Sequence, residues 1–281
     1  MQAAMNSTNF EIRWDTVSTG GSDSSSGSYL LRDTAESTIA GSSTSTSYQL
    51  VQGYRAAIDD QIITFEALAQ NTSSGRAATA LSGLTVTAST SGLSVNDLIA
   101  VVQNLGSSQI SAIGRIASLG AGTITVDVWK NGGTVPTVDG TNDYVYPLTG
   151  SSVAFGELST SSVVTAIVAF EVTAANDNGY VVQVIDDGNL RSGGNEVNDV
   201  ADGSVTNATE EYGARSSDTS ISSSTFDTAD TAVSTTFVDV ATESAAISES
   251  RNFITLKVAI DEGTPEGSYS QILSLVASGN F

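Results

Sequence analysis

The side chains best equipped for chemistry are acidic and clustered. Asp186-Asp187-Gly188-Asn189 is followed by Asn195-Glu196, Asn198-Asp199 and Asp202. Carboxylate and amide oxygens on a glycine-containing loop are the hard ligands that calcium takes, so Asp186, Asp187 and Asn189 are the first candidates to hold one. The spacing is not that of an EF-hand, and a solvated turn accounts for the same residues. Asp59-Asp60 raises the same pair of readings on a smaller scale. No other cofactor is implied.

Other chemistry is excluded by what the chain lacks. It has no His and no Cys, which removes the usual proton shuttle near neutral pH, most zinc, haem and iron–sulfur ligation, and every Ser-His-Asp or Cys-His hydrolytic site. Paired carboxylates could in principle cleave a glycosidic bond, but that needs an aromatic-lined cleft, and aromatics are only 6% of the residues and thinly spread. The chain is not expected to be an enzyme. With 31 Asp+Glu against 10 Lys+Arg and a net charge of -21, it would repel a phosphate backbone, so nucleic acid is not an expected partner.

The only lysines, Lys130 and Lys257, fall in strand-like segments. A strand lysine in a dry site beside an acid can condense with Asn or Asp; an edge-strand lysine that discourages aggregation is the plainer reading. Asn6-Ser7-Thr8, Asn71-Thr72-Ser73 and Asn207-Ala208-Thr209 fit the N-glycosylation pattern at Asn6, Asn71 and Asn207. In a chain this rich in Ser and Thr, such matches also arise by chance.

The elements that must position these groups read as β-strands. Ser and Thr make up more than a quarter of the 281 residues, and Thr, Val and Ile favour the pleated backbone while Ser, Gly, Asn and Asp favour turns. The composition predicts an all-β chain, long enough for two antiparallel β-sandwich-like domains with an extended N-terminal arm. Residues 1–60 carry an arm and a three-copy repeat in which Phe10, Tyr29 and Tyr48 stand nineteen residues apart, each followed two places later by Ile or Leu. The copies predict strands near 9–15, 28–33 and 47–55. A first β domain is expected over 61–150, with a helix as the alternative for Ser94–Leu105, and a second over 151–281. Within the second, 186–252 reads as a decorated loop or irregular edge strands.

In the arm, Phe10, Ile12 and Trp14 fall on one strand face ahead of a Gly/Ser-rich linker. Such a strand can pair within its own domain. It can also complete the sheet of a neighbouring subunit, with main-chain bonds holding it and alternate side chains fixing its register. In that case these three residues are the intersubunit anchors. No segment is apolar enough for a membrane-spanning helix, and no secretory leader is visible at the N-terminus. Ser/Thr richness, acidity and scarce lysine point to a mature extracellular or cell-surface protein after leader removal.

With the repeat, the arm, the Thr264-Pro265-Glu266-Gly267-Ser268-Tyr269-Ser270 turn and the C-terminal Gly279-Asn280-Phe281, the chain resembles secreted β-sandwich subunits of bacterial and archaeal surface filaments, pilin-like proteins of the strand-donation type. That resemblance implies a head-to-tail homopolymer of one repeated subunit. The chain departs from chaperone–usher pilins in lacking a disulfide, and from type IV pilins in lacking a long apolar N-terminal helix. The alternative is a monomeric surface adhesin or carbohydrate-binding module with calcium in its loops.

Overall fold

The structure is a computed structural model that describes residues 63–280 and, within 1–62, the backbone of six short strands. These six make three antiparallel hairpins: β1 (Asn6–Ser7) with β2 (Phe10–Glu11), β3 (Ser24–Ser26) with β4 (Tyr29–Leu31), and β5 (Gly41–Thr44) with β6 (Gln49–Gln52). Each sequence copy therefore ends in the second strand of a hairpin. Ile12, Trp14 and Asp59-Asp60 lie outside the described residues, as do the side chains of Asn6 and Phe10.

From Ile63 the chain continues through β7 (Ile63–Ala69), β8 (Arg76–Ala77), β9 (Ala80–Ser82), β10 (Thr85–Thr87), β11 (Leu98–Gln103), β12 (Ile110–Gly120), β13 (Thr123–Val126), β14 (Lys130–Asn131) and β15 (Tyr144–Pro147). Then come β16 (Val164–Ala174), β17 (Tyr180–Asp186), β18 (Arg191–Ser192), β19 (Asn195–Glu196), β20 (Glu211–Ser216), β21 (Val238–Glu243), β22 (Ile247–Ala259) and β23 (Leu273–Gly279). All named pairings are antiparallel, and the all-β expectation holds. The helix alternative for Ser94–Leu105 gives way to strand β11, whose side chains are needed on two faces at once. Among the described residues no helix is long and apolar enough to cross a membrane.

Strand β16 organises the unit. It pairs with β22 on one side and β7 on the other, giving a four-stranded sheet in the order β20-β22-β16-β7. Its apolar run has no clean alternation because both faces are covered, as expected of a central strand with a layer on each side. Phe170, Val172 and Ala174 face the three-stranded sheet β21-β17-β23, sharing a core with Tyr180, Val182, Val184, Ile254, Leu256 and the wholly buried Phe226. Ile167 and Ala169 face the other way, packing with Phe253 against Leu98, Ala100, Val102, Ile113, Tyr146 and Leu148.

That second face is covered by the chain that leaves the sheet after β7 and returns at β16. It forms one sheet in the order β8-β15-β11-β12-β13-β10-β9, with β14 also on β12. Strand β12 belongs to both halves: its start pairs with β11 and its end with β13, with an irregularity between Ile116 and Ser118. The break bends the sheet around its own core of Val86, Ile99, Val101, Ile116, Ile124, Val126 and Val145. Gly114 lies at the bend, where a Cβ would come within 2.8 Å of the Val128 carbonyl oxygen and 2.9 Å of Val126.

The stretch 186–252 is built in more firmly than a loop. It contributes β20 and β21 to the two sandwich sheets and places Phe226 in their core, leaving Phe237 exposed.

Candidate functional site: an apolar groove beside an edge strand

Burial in the sandwich core is incomplete along one border. Strand β23 pairs with β17 over its whole length, from Leu273 opposite Asp186 to Gly279 opposite Tyr180. Among the described residues its other edge carries no ladder. Its alternation is regular: Leu273, Leu275 and Ala277 turn inward, while Ser274, Val276 and Ser278 turn outward. An edge strand of this regularity is a template for a further strand.

A groove of about 1140 Å³ adjoins this edge. Phe65, Ala67, Val168, Tyr212, Ile254 and Leu256 form the side belonging to the central sheet, and Leu273 and Leu275 the side belonging to β23. Behind the groove wall, Phe65 packs against the buried ring of Phe170 at 6.2 Å, tilted. Most of the remaining lining comes from two segments outside the named strands, 151–158 and 264–272, with Ala69, Leu190 and Ile260 completing it. In the second, Ile272 is 65% exposed, and the Tyr269 hydroxyl donates to the Pro265 carbonyl at 2.7 Å, closing the turn.

The first segment, Ser151–Leu158, behaves as a strap. Val153, Phe155 and Leu158 are half-buried against the sandwich core, and Ala154, Gly156 and Glu157 are exposed. Phe155 meets the ring of buried Tyr212 edge-on, with centroids 6.4 Å apart. Burial pushes the Tyr212 phenol well above its usual range, and the charges of Asp186 and Asp199 add to the shift. The hydroxyl therefore stays neutral, and the ring presents an apolar surface to the groove. Among the described residues the strap makes one hydrogen bond, from Thr72 Oγ1 to the Ala154 carbonyl at 2.7 Å. It thus walls the groove by side-chain packing against the core and this one hydrogen bond, without the ladder that a strand there would form.

The acidic loop lies at the far end of β17 and is bonded within itself. Asp186 Oδ1 accepts the Gly188 N–H at 3.1 Å and Asp186 Oδ2 accepts Gln271 Nε2 at 3.0 Å. Asp187 is joined to Arg191 at 2.6 Å and accepts the Ile272 N–H at 2.9 Å. The Arg191 guanidinium is the main cause of its depressed pKa. Asn189 Nδ2 donates to Glu196 Oε2 at 3.3 Å. The three calcium candidates thus share one turn, with the carboxylate oxygens of Asp186 and Asp187 engaged by protein donors, and among the described residues no group of three acids is placed to hold a metal.

The lysines separate. Lys130 lies in the short strand β14 opposite Ile113. Lys257 is not an edge-strand lysine: it lies between Thr165 of β16 and Gly213 of β20, is 8% exposed, and reaches Asp230 at 2.8 Å. Of the glycosylation candidates, Asn207 is exposed on a turn, Asn71 accepts from Ser73 Oγ at 2.8 Å beside the single turn of 3₁₀ helix at Thr72–Ser74, and Asn6 pairs with Glu11 through the backbone of β1 and β2. Phe10 pairs with Ser7 in the same hairpin.

Sequence reasoning missed the groove and its strap. The signal was present in the alternation Val153-Ala154-Phe155 ahead of a long apolar strand, but alternation over three residues does not separate a strap from a loop. No family model, curated protein or solved structure matches this chain.

Proposed function

We propose that the protein is a structural subunit of an extracellular filament, polymerising head to tail as the N-terminal strand of one copy enters the groove beside β23 of the next. The observation that carries this reading is the conjunction of an unpaired, regularly alternating edge with a contiguous apolar groove on one border of a sandwich. An extended segment satisfies both at once: its backbone pairs with the edge while every second side chain enters the groove. Phe10, Ile12 and Trp14 supply large apolar side chains at that period. A contact between two different surfaces of one chain also propagates without closing, as a fibre requires.

The test is removal of residues 1–17 from the full-length protein. Negative-stain imaging and sedimentation should show filaments for the intact chain and discrete particles for the truncated one, whose fold is checked by its melting transition. Polymer of unchanged form after truncation overturns strand donation. A monomeric full-length protein favours an adhesin or binding module instead.

A further inference from the structure

The strap Ser151–Leu158 already does, within one chain, part of what an incoming strand would do. Resting on the strand-donation reading, we infer that this strap is a built-in placeholder, displaced from the groove when the segment around Phe10–Trp14 of a second copy enters. Four observations converge. The strap lines the same groove as Leu273 and Leu275 of the open edge strand. Its side chains cover the core at the groove on alternate positions, Val153 and Phe155, the period that Phe10, Ile12 and Trp14 repeat over a longer run. Its hold is one hydrogen bond to a Thr72 hydroxyl, where a strand would add a ladder to β23. It is also an irregular segment between β15 and β16, so it can leave without unpairing a strand.

The exchange is favourable for a definite reason. Before it, the strap covers only part of the apolar groove and, among the described residues, the edge of β23 is not paired; after it, both are satisfied and the anchors present two large aromatics where the strap presents one. That partial cover reduces the apolar patch a single copy exposes before it meets a partner. Assembly is then limited by how fast the strap lifts.

The absence of cysteine from the natural chain makes the test direct. The double variant T72C/A154C joins the strap to the Thr72 turn at the point where the two already touch, and a second variant, F155A, weakens the strap's main anchor. The probe is a fluorescently labelled peptide of residues 6–17, added to each protein after removal of its own residues 1–17 so that no neighbour's arm fills the groove, and followed by anisotropy; filaments are scored on the intact chains, and melting transitions confirm that each variant is folded. The oxidised double variant should take up no peptide and form no filaments, and reduction should restore both. F155A should take up peptide about tenfold faster than the natural chain, because a half-buried ring no longer has to be withdrawn from beside Tyr212. Peptide uptake by the oxidised variant at the unmodified rate overturns the placeholder while leaving strand donation intact. Failure of the natural chain, F155A and the reduced variant alike to take up peptide overturns donation into this groove, and the placeholder with it.

Discussion

Arg251 and Asp127, 124 residues apart in sequence, meet in a two-point ion pair, with Nη1 to Oδ1 at 2.8 Å and Nη2 to Oδ2 at 2.7 Å. Arg251 belongs to the central sheet, and Asp127 follows β13 in the sheet that covers it. The same guanidinium donates from Nε to Glu171 at 2.7 Å, and Glu171 in turn holds Arg115 of β12 at 3.2 Å. Two arginines and two carboxylates thus close the border of the apolar contact that Ile167, Ala169 and Phe253 make with the covering sheet. Burial pushes the Asp127 carboxyl up, but hydrogen bonds from Arg251 and the Val128 N–H outweigh it and hold its pKa below the ordinary value.

Removing the guanidinium leaves Asp127 without its arginine and Glu171 with Arg115 alone, at a site where the Arg251 side chain is 4% exposed. Breaking a buried pair costs about 3–5 kcal/mol, and since Asp127 is partly solvated the lower end applies: Arg251→Met should destabilise by about 3 kcal/mol. Asp127→Asn should cost about 1 kcal/mol, because Glu171 still pairs with the arginine. Urea unfolding of the two variants checks the order. Equal losses would show that the network contributes no more than an exposed pair.

The pair Lys257–Asp230 gives a second test, because it lies almost wholly out of water. Nζ donates to Oδ2 at 3.0 Å, while Oδ1 stands at 2.8 Å but is poorly aligned for a hydrogen bond. Oδ2 also accepts the Val205 N–H at 2.9 Å, fixing the loop that crosses this end of the sheet. Lys257→Met should therefore cost about 3–5 kcal/mol by stranding a buried carboxylate. Combining it with Asp230→Asn should recover part of the loss, since the remaining amide is neutral and can still accept from Val205. A double variant as unstable as the sum of the singles would refute coupling between these groups.

The all-β class was legible in composition because Ser, Thr, Val and Gly are abundant while Glu, Lys and Arg, which build surface helices, are scarce. The layering was not. Val163–Val172 reads as a long apolar run whether it lies in one sandwich or between two sheets; only the pairing of β16 with both β7 and β22 shows that Ile167 and Phe170 serve different cores. The pairing of β7 with a strand about a hundred residues on leaves no local trace, since register is set by contacts the sequence does not order. Of the candidate site, the open edge was half-visible in the alternation Leu273, Leu275 and Ala277. The groove depends on Tyr212, Leu256 and Phe65 converging from three strands, which no spacing reveals. The acidic turn was recognisable as a cluster, yet Arg191 and Gln271, which engage its carboxylates, are distant or unremarkable in sequence.

Acidity itself supplies the last prediction, through Asp199. Its Oδ1 is buried without a hydrogen-bond partner, its backbone bridges to Tyr212, and its pKa is raised to about 6, chiefly by burial and then by the charges of Asp186 and Glu196. A carboxyl whose folded pKa exceeds the unfolded value binds its proton more tightly in the folded state. The stability it contributes is therefore full below the ordinary Asp value, where both states are protonated, and is lost progressively as pH rises from there through about 6. Asp127 and Asp187 act in the opposite sense, since their depressed values withdraw stability only as pH falls below the ordinary Asp range. Between about pH 4 and pH 6.5 the Asp199 effect should dominate, and the melting temperature at pH 5 should exceed that at pH 7 by about 2–4 °C, the equivalent of roughly 1 kcal/mol for a domain of this size. Asp199→Asn keeps a neutral polar side chain at all pH values and should flatten the profile over this window. A natural chain whose melting point is level or rises from pH 5 to pH 7, or an unchanged profile in Asp199→Asn, would assign the pH dependence to other carboxylates.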